Sequence, residues 1–118
     1  MASLVLYHNP RCSKSRAALE ILQQHGGDFE ILEYLETPLD AAALRRLLEQ
    51  LPNAPAELVR KDKHFEELGL DPAAYETPDA VVALLQEHPQ LMQRPLLSDG
   101  ARARIGRPSA DAIRELLR

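Results

Sequence analysis

The stretch from Tyr7 to Arg16, YHNPRCSKSR, holds the only cysteine of the chain. A thiol becomes a nucleophile only as thiolate, and an unperturbed one with a pKa of about 8.5 is only about 3% ionised at pH 7. The residues around Cys12 address that deficit. Asn-Pro before it marks a turn, and a helical pattern begins at Ser13, so the sulfur falls at the positive end of a helix dipole beside free backbone N–H groups. Each unit of pKa depression needs about 1.4 kcal/mol of preference for the anion. A helix terminus supplies about 0.3–1 kcal/mol, up to about 2 in favourable geometry. A hydroxyl donor such as Ser15, or a nearby cation, would add to it. The competing reading is a small buried hydrophobe, the common fate of a free cysteine. Asn9, Pro10, Arg11, Ser13, Lys14, Ser15 and Arg16 are polar or turn-forming, so the surroundings favour a nucleophile at an anion-binding helix end.

Other residues have weaker claims. His8 is either a general base, a dipolar neighbour tuning the thiolate, or an ordinary hydrogen-bonded histidine at a strand end. Arg11, Lys14 and Arg16 read as solvated charges. Arg94 and Arg107 each precede a proline, in QRPLL and GRPSA. The residue before proline is pushed out of the α region, so each guanidinium is carried on stiff, extended backbone. Its planar fork suits oxyanions, although two turn residues with exposed tips fit the same pattern. Arg60, in LVRKD, has less to distinguish it. A tyrosine-phosphatase loop fails on spacing: C-x5-R requires arginine where Ala18 stands, and Arg16 arrives early.

Composition narrows the function class. The 14 basic and 18 acidic residues give a net charge of −4, which argues against nucleic acid or an anionic membrane as the main partner. One cysteine forms no internal disulfide and no thiolate zinc site, and the four histidines carry no HExxH or CxxC companion; no metal is expected. The first residues lack a basic region and a long apolar run, and no stretch has the length of a membrane span. A reducing cytoplasm is the expected location.

The elements that must position these residues can be read in order. Ser3 to Tyr7 is a short apolar strand; a helix from Ser13 presents Ala18, Leu19, Ile21 and Leu22 and ends at Gly26-Gly27. Asp28 to Glu36 alternates and predicts a second strand with Phe29, Ile31 and Leu35 on its apolar face, parallel to the first in a βαβ unit. A helix starting at Thr37-Pro38, with Asp40 near its positive end, presents Leu44, Leu47, Leu48 and Leu51. The segment NAPAELVRKDKHFEELGL predicts one short helix closing at Gly69, and a further helix runs from Thr77-Pro78 to before Pro89. Asp99-Gly100 makes a hairpin turn between PLL and ARARI, and a closing helix begins at Ser109. The order β-α-β, three helical segments, β-β-α is that of a thioredoxin-like α/β fold in a single domain over residues 1–118, with a helical insertion over roughly 38–92.

In YHNPRCSKSR, YLETP, QRPLL and RIGRP, taken in this order, the chain resembles the ArsC family of glutaredoxin-coupled arsenate reductases, and more closely its short, YfgD-type branch of ArsC-like proteins. The resemblance extends over nearly all of the chain. It implies a cis bond before Pro95 and oxyanion-binding roles for Arg60, Arg94 and Arg107. It gives His8 and Ser15 supporting roles near Cys12. The implied reaction is attack of Cys12 on arsenate, attack of glutathione on the resulting adduct, and removal of the glutathione by glutaredoxin as arsenite leaves. Glutathione is then a co-substrate, no cofactor is bound, and no second cysteine is needed. Two alternatives share the fold: a monothiol glutaredoxin-like exchanger, from the C-x-x-S form of CSKS, and an Spx-like regulatory module, for which Ser15 stands where a second cysteine is expected.

Overall fold

The computed structural model describes residues 4–117. Strand β1 (Leu4–His8) leads through the Asn9–Cys12 turn into helix α1 (Ser13–His25), and the chain returns along strand β2 (Phe29–Glu33). Six helical stretches follow before the sheet resumes: α2 (Ala41–Gln50), a 3-10 turn (Pro55–Leu58), α3 (Lys63–Glu67), a second 3-10 turn (Pro72–Ala74), α4 (Pro78–Glu87) and a third 3-10 turn (Pro89–Leu91). Strands β3 (Leu96–Ser98) and β4 (Ala103–Ile105) form the hairpin, and a 3-10 helix (Ala110–Leu117) closes the fold. The sheet order is β2-β1-β3-β4, parallel between β1 and β2 and antiparallel elsewhere. This is the thioredoxin-like arrangement. Ser3, expected to open the first strand, lies outside the described residues.

Each face of the sheet has its own core. Leu6 and Leu97 pack against Ala18, Ile21 and Leu22 of α1 and against Ala110, Ile113 and Leu116 of the closing helix. Those last three recur every third residue, which suits the three residues per turn of a 3-10 helix and places all of them on one edge. The opposite face carries Leu96 and Ile105 against Leu44, Leu47, Phe65, Val81 and Leu91 of the insertion.

Three expectations are corrected. Strand β2 is shorter than Asp28 to Glu36, because backbone N–H groups of Glu36 and Thr37 both turn back to the Glu33 carbonyl. Its apolar face is also only partly as expected: Phe29 packs against the α1 core, but Ile31 and Leu35 are 47% and 41% exposed, while Leu32 and Tyr34 face the insertion. As the sheet's outermost strand, β2 has one side of its register uncovered. Helix α2 starts at Ala41 rather than at Thr37-Pro38, because the Asp40 carboxylate accepts the Ala43 N–H at 2.8 Å and makes the stronger cap. The third correction bears on the site. NAPAELVRKDKHFEELGL is a 3-10 turn and a separate α3, split by an extended Val59-Arg60. There Arg60 N–H donates to the Leu91 carbonyl and Gln93 N–H to the Leu58 carbonyl, and Val59 bridges to Met92. Two tertiary hydrogen bonds replace the helical ladder and lay Arg60 beside the segment that carries Arg94. The Gly26-Gly27 stop of α1, the Thr77 cap of α4 and the Asp99-Gly100 turn lie where the sequence puts them. Among the described residues no helix is long and apolar enough to cross a membrane.

Candidate active site

Cys12 is the N-cap of α1, in extended conformation with its thiol partly exposed. The turn before it is locked by Asn9, whose carbonyl accepts Cys12 N–H and whose side-chain oxygen accepts Arg11 N–H, both at 3.0 Å. The sulfur accepts no capping hydrogen bond of standard geometry, but the N–H groups of Ser15 and Lys14 approach it. Burial pushes the thiol up; those two N–H groups and the guanidinium of Arg94 outweigh it, and the net shift is downward. Arg107 also approaches, with Nη2 lying 3.8 Å from Sγ. Thus the local environment favours the nucleophilic form.

His8 and Ser15 are buried beneath this turn. Ser15 Oγ accepts the Asn9 N–H at 3.0 Å and lies 2.7 Å from His8 Nδ1. This contact shares one proton between the Ser15 hydroxyl and His8 Nδ1, and the tautomer of the ring sets which of the two donates. Burial, with help from Arg16, lowers the His8 pKa against the opposing pull of Glu33, which favours the neutral ring. His8 meets the cysteine loop through Ser15 and makes no hydrogen bond to the sulfur. Lys14 and Arg16 serve as anchors: Lys14 Nζ donates to the Pro108 carbonyl at 2.6 Å and Arg16 Nη1 to the Pro10 carbonyl at 2.9 Å. The Lys14 bond ties the start of α1 to the loop carrying Arg107.

The three arginines come from distant segments and gather at one place. The Arg94-Pro95 bond is cis, as the resemblance implied, and so is Arg107-Pro108, which the sequence reading did not foresee. Arg107 Nε donates to the Arg94 carbonyl at 2.8 Å, and Arg94 Nη1 to the Gln90 carbonyl at 3.2 Å. Burial lowers the Arg107 pKa, and the charges of Arg60 and Arg94 push it the same way while Cys12 opposes them. Arg94 and Arg107 act on Cys12 directly. Arg60 enters through its proximity to Arg107, with its Nε paired to Asp62 Oδ2 at 3.0 Å. Burial raises the Asp62 carboxyl, but the Phe65 N–H, Arg60 and Arg94 prevail and hold it below the usual range. The cluster therefore sets three guanidiniums against one carboxylate and the Cys12 thiol, whose pKa Arg94 helps to lower.

Four residues that the sequence reading passed over belong to this site: Asn9, Tyr34, Asp62 and Gly106. Asn9 sits in a turn whose polarity was noted without a role. Asp62 is legible as the cap of α3, accepting the Phe65 N–H at 3.1 Å. Tyr34 is buried and its hydroxyl faces the site. Gly106 donates its N–H to the Pro95 carbonyl at 2.8 Å. Beside Arg107, an open groove of about 570 Å³ runs past Val59, Lys61, Gln93 and Pro108. Among the described residues no group of three or more His, Cys, Asp or Glu could hold a metal ion.

Comparison with known proteins agrees with this architecture. The family model described as "ArsC family" matches residues 7–116. The uncharacterized protein YfgD of Escherichia coli is 45% identical over 110 residues, covering 92% of each chain. A protein named arsenate reductase from Neisseria meningitidis is 40% identical over 110 residues, covering 92% of this chain and 93% of its own. Among solved structures, one described as arsenate reductase from Vibrio cholerae superposes with a TM-score of 0.83 at 37% identity, covering 95% of both chains. With its thioredoxin-like sheet and its cysteine at the head of α1, the chain belongs to the ArsC family.

Proposed function

We propose that this protein is an arsenate reductase that takes its electrons from glutathione through glutaredoxin. The observation that carries the reading is the convergence of Arg94 and Arg107 on the Cys12 sulfur, with Arg60 beside them. Gathering like charges costs free energy unless an anion offsets it. A tetrahedral oxyanion bound there meets forked donors and the positive end of α1, and these offset its repulsion from the thiolate. The names of the relatives support arsenate as that oxyanion.

In this reaction the Cys12 thiolate attacks arsenic(V), and one arsenate oxygen leaves as water. Glutathione displaces a second oxygen as water, giving arsenic bonded to both sulfurs. The glutaredoxin thiol then attacks the glutathionyl sulfur and forms a mixed disulfide. The electron pair of that As–S bond stays on arsenic, reducing it to arsenic(III). Hydrolysis releases arsenite and returns the Cys12 thiol. His8 acts through Ser15, holding the loop that carries the cysteine, and the groove beside Arg107 offers glutathione room to approach. Reduced glutathione is a cytoplasmic resource, and we assign the protein to that compartment.

The test is arsenate-dependent NADPH consumption in a coupled system of glutathione, glutaredoxin and glutathione reductase, run with each component omitted in turn. Turnover that requires both glutathione and glutaredoxin is expected, and it should vanish in Cys12→Ser and fall sharply in Arg94→Ala. Activity on glutathione mixed disulfides without arsenate turnover would replace this reading with thiol exchange.

A further inference from the structure

Two buried polar side-chain atoms lack a hydrogen-bond partner among the described residues, the Tyr34 hydroxyl and Arg94 Nε, and both belong to this site. Tyr34 follows β2 and is 1% exposed. Its ring is held in the apolar cluster with Leu44, Leu85 and Met92, so the hydroxyl has a fixed direction. Arg94 and Asn9 approach it, and the Cys12 charge acts on it, yet none completes a hydrogen bond. Burying a hydroxyl unpaired is unfavourable, and native structures rarely leave one so.

The character of its neighbours identifies the missing partner. A guanidinium only donates. The Asn9 side chain acts to lower the Tyr34 pKa, as a donor to the phenol oxygen does, while its own oxygen accepts the Arg11 N–H. The phenol oxygen thus looks onto donors, and its own proton lacks an acceptor. Burial also raises the Tyr34 pKa, so the proton is present at neutral pH. The thiolate is not within hydrogen-bonding reach in the free protein. An acceptor must arrive with a ligand.

We propose that the Tyr34 hydroxyl is a substrate-binding donor that hydrogen-bonds an oxygen of the tetrahedral oxyanion held between Arg94 and Cys12. This rests on the reading of the site as an arsenate site and adds to it a neutral donor beside Arg94. A neutral donor contributes direction without further charge repulsion among the guanidiniums.

Tyr34→Phe removes the hydroxyl and keeps the ring in its apolar cluster. Four readouts are taken on wild type and variant: KM and kcat for arsenate in the coupled system, protection of Cys12 from iodoacetamide by arsenate alone, the pH dependence of that alkylation without arsenate, and melting temperature. Losing one hydrogen bond to a charged ligand raises KM and the protecting arsenate concentration about 10- to 100-fold. The kcat should stay within about threefold if the bond is equally strong in ground and transition states. The alkylation curve and melting temperature should be unchanged or, for melting, higher, because the hydroxyl has no partner to lose. Unchanged KM and protection would overturn the proposal. So would an alkaline shift of the alkylation curve, which would assign the hydroxyl to the thiolate, or a lower melting temperature, which would reveal a structural partner. If arsenate neither protects nor turns over with wild type, the arsenate reading itself falls, and this proposal with it.

Discussion

Gly106→Ala tests whether the packing between the two arginine loops sets the geometry of the site. A Cβ at Gly106 would lie 2.5 Å from Pro95 Cγ and 3.1 Å from Cδ, with the Ala110 Cα at 3.5 Å behind it. The first contact is about 0.9 Å short of the 3.4 Å at which ordinary contact begins. Neither partner yields easily. Pro95 is a ring, and its carbonyl is tied to the Gly106 N–H. The strain therefore passes to the neighbours on each side, Arg94 and Arg107, whose forks face Cys12. Overpacking of this kind costs about 1–3 kcal/mol of stability, several degrees of melting temperature for a chain of this size. A displacement of about 1 Å in a positioned group can cost about 100-fold in rate. We expect kcat/KM for arsenate to fall by about that factor in the coupled assay, with a lower melting temperature. Gly27→Ala is the control: nothing lies within 4 Å of its Cβ, but its φ of +84° strains any other residue, so it should destabilise modestly with kcat/KM unchanged. Equal activity and melting of Gly106→Ala and wild type would refute the claim that this contact fixes the arginines.

Further outcomes follow from the buried network under Cys12. Ser15→Ala strips the Asn9 N–H of its acceptor in a fully buried place, so urea unfolding should show a loss of about 1–3 kcal/mol; an unchanged midpoint would contradict the network. The pKa of His8 is lowered in the fold, so between its native value and the unfolded value of about 6.5 the unfolded chain binds the proton that the native chain resists. Its contribution is therefore whole above about pH 6.5 and declines as the pH falls below it, and this part of the acid slope in urea midpoints should disappear in His8→Asn. Arg107→Lys keeps a charge near Cys12 but loses the Nε bond to the Arg94 carbonyl and the planar fork. It should raise KM for arsenate about tenfold or more with a smaller effect on alkylation of the free thiol; the reverse order would assign Arg107 to the thiolate rather than to substrate.

How much of this was legible in the sequence follows from which contacts are local. Cys12 at the head of a helix, the Gly26-Gly27 stop and the Thr77 cap depend on residues a few positions apart, and each was readable. Arg60 was not placed by any local signal. Its position comes from the Val59–Met92 bridge, a pairing of segments far apart in the chain that overrides helical propensity in NAPAELVRKDK. Arg94 and Arg107 announced stiff backbone through the following prolines, but their meeting at Cys12 depends on the hairpin that folds one loop onto the other. Tyr34 carried no strand signal because it lies beyond β2: Phe29 packs on a core as its alternation predicts, but an edge strand leaves Ile31 in solvent, Leu35 is exposed after it, and the residue that matters turns inward once the strand has ended. Gly106 carried no signal beyond its place before Arg107, since its role is the absence of an atom beside Pro95.

The central claim is that Cys12 is the nucleophile of an arsenate-reducing site. Its most direct test is arsenite formed from arsenate, separated and quantified, with glutathione and glutaredoxin supplied to wild type and to Cys12→Ser. The account predicts steady arsenite formation by wild type and none above the protein-free blank for the variant. Equal arsenite from both proteins, or none from either with active glutaredoxin present, would contradict it.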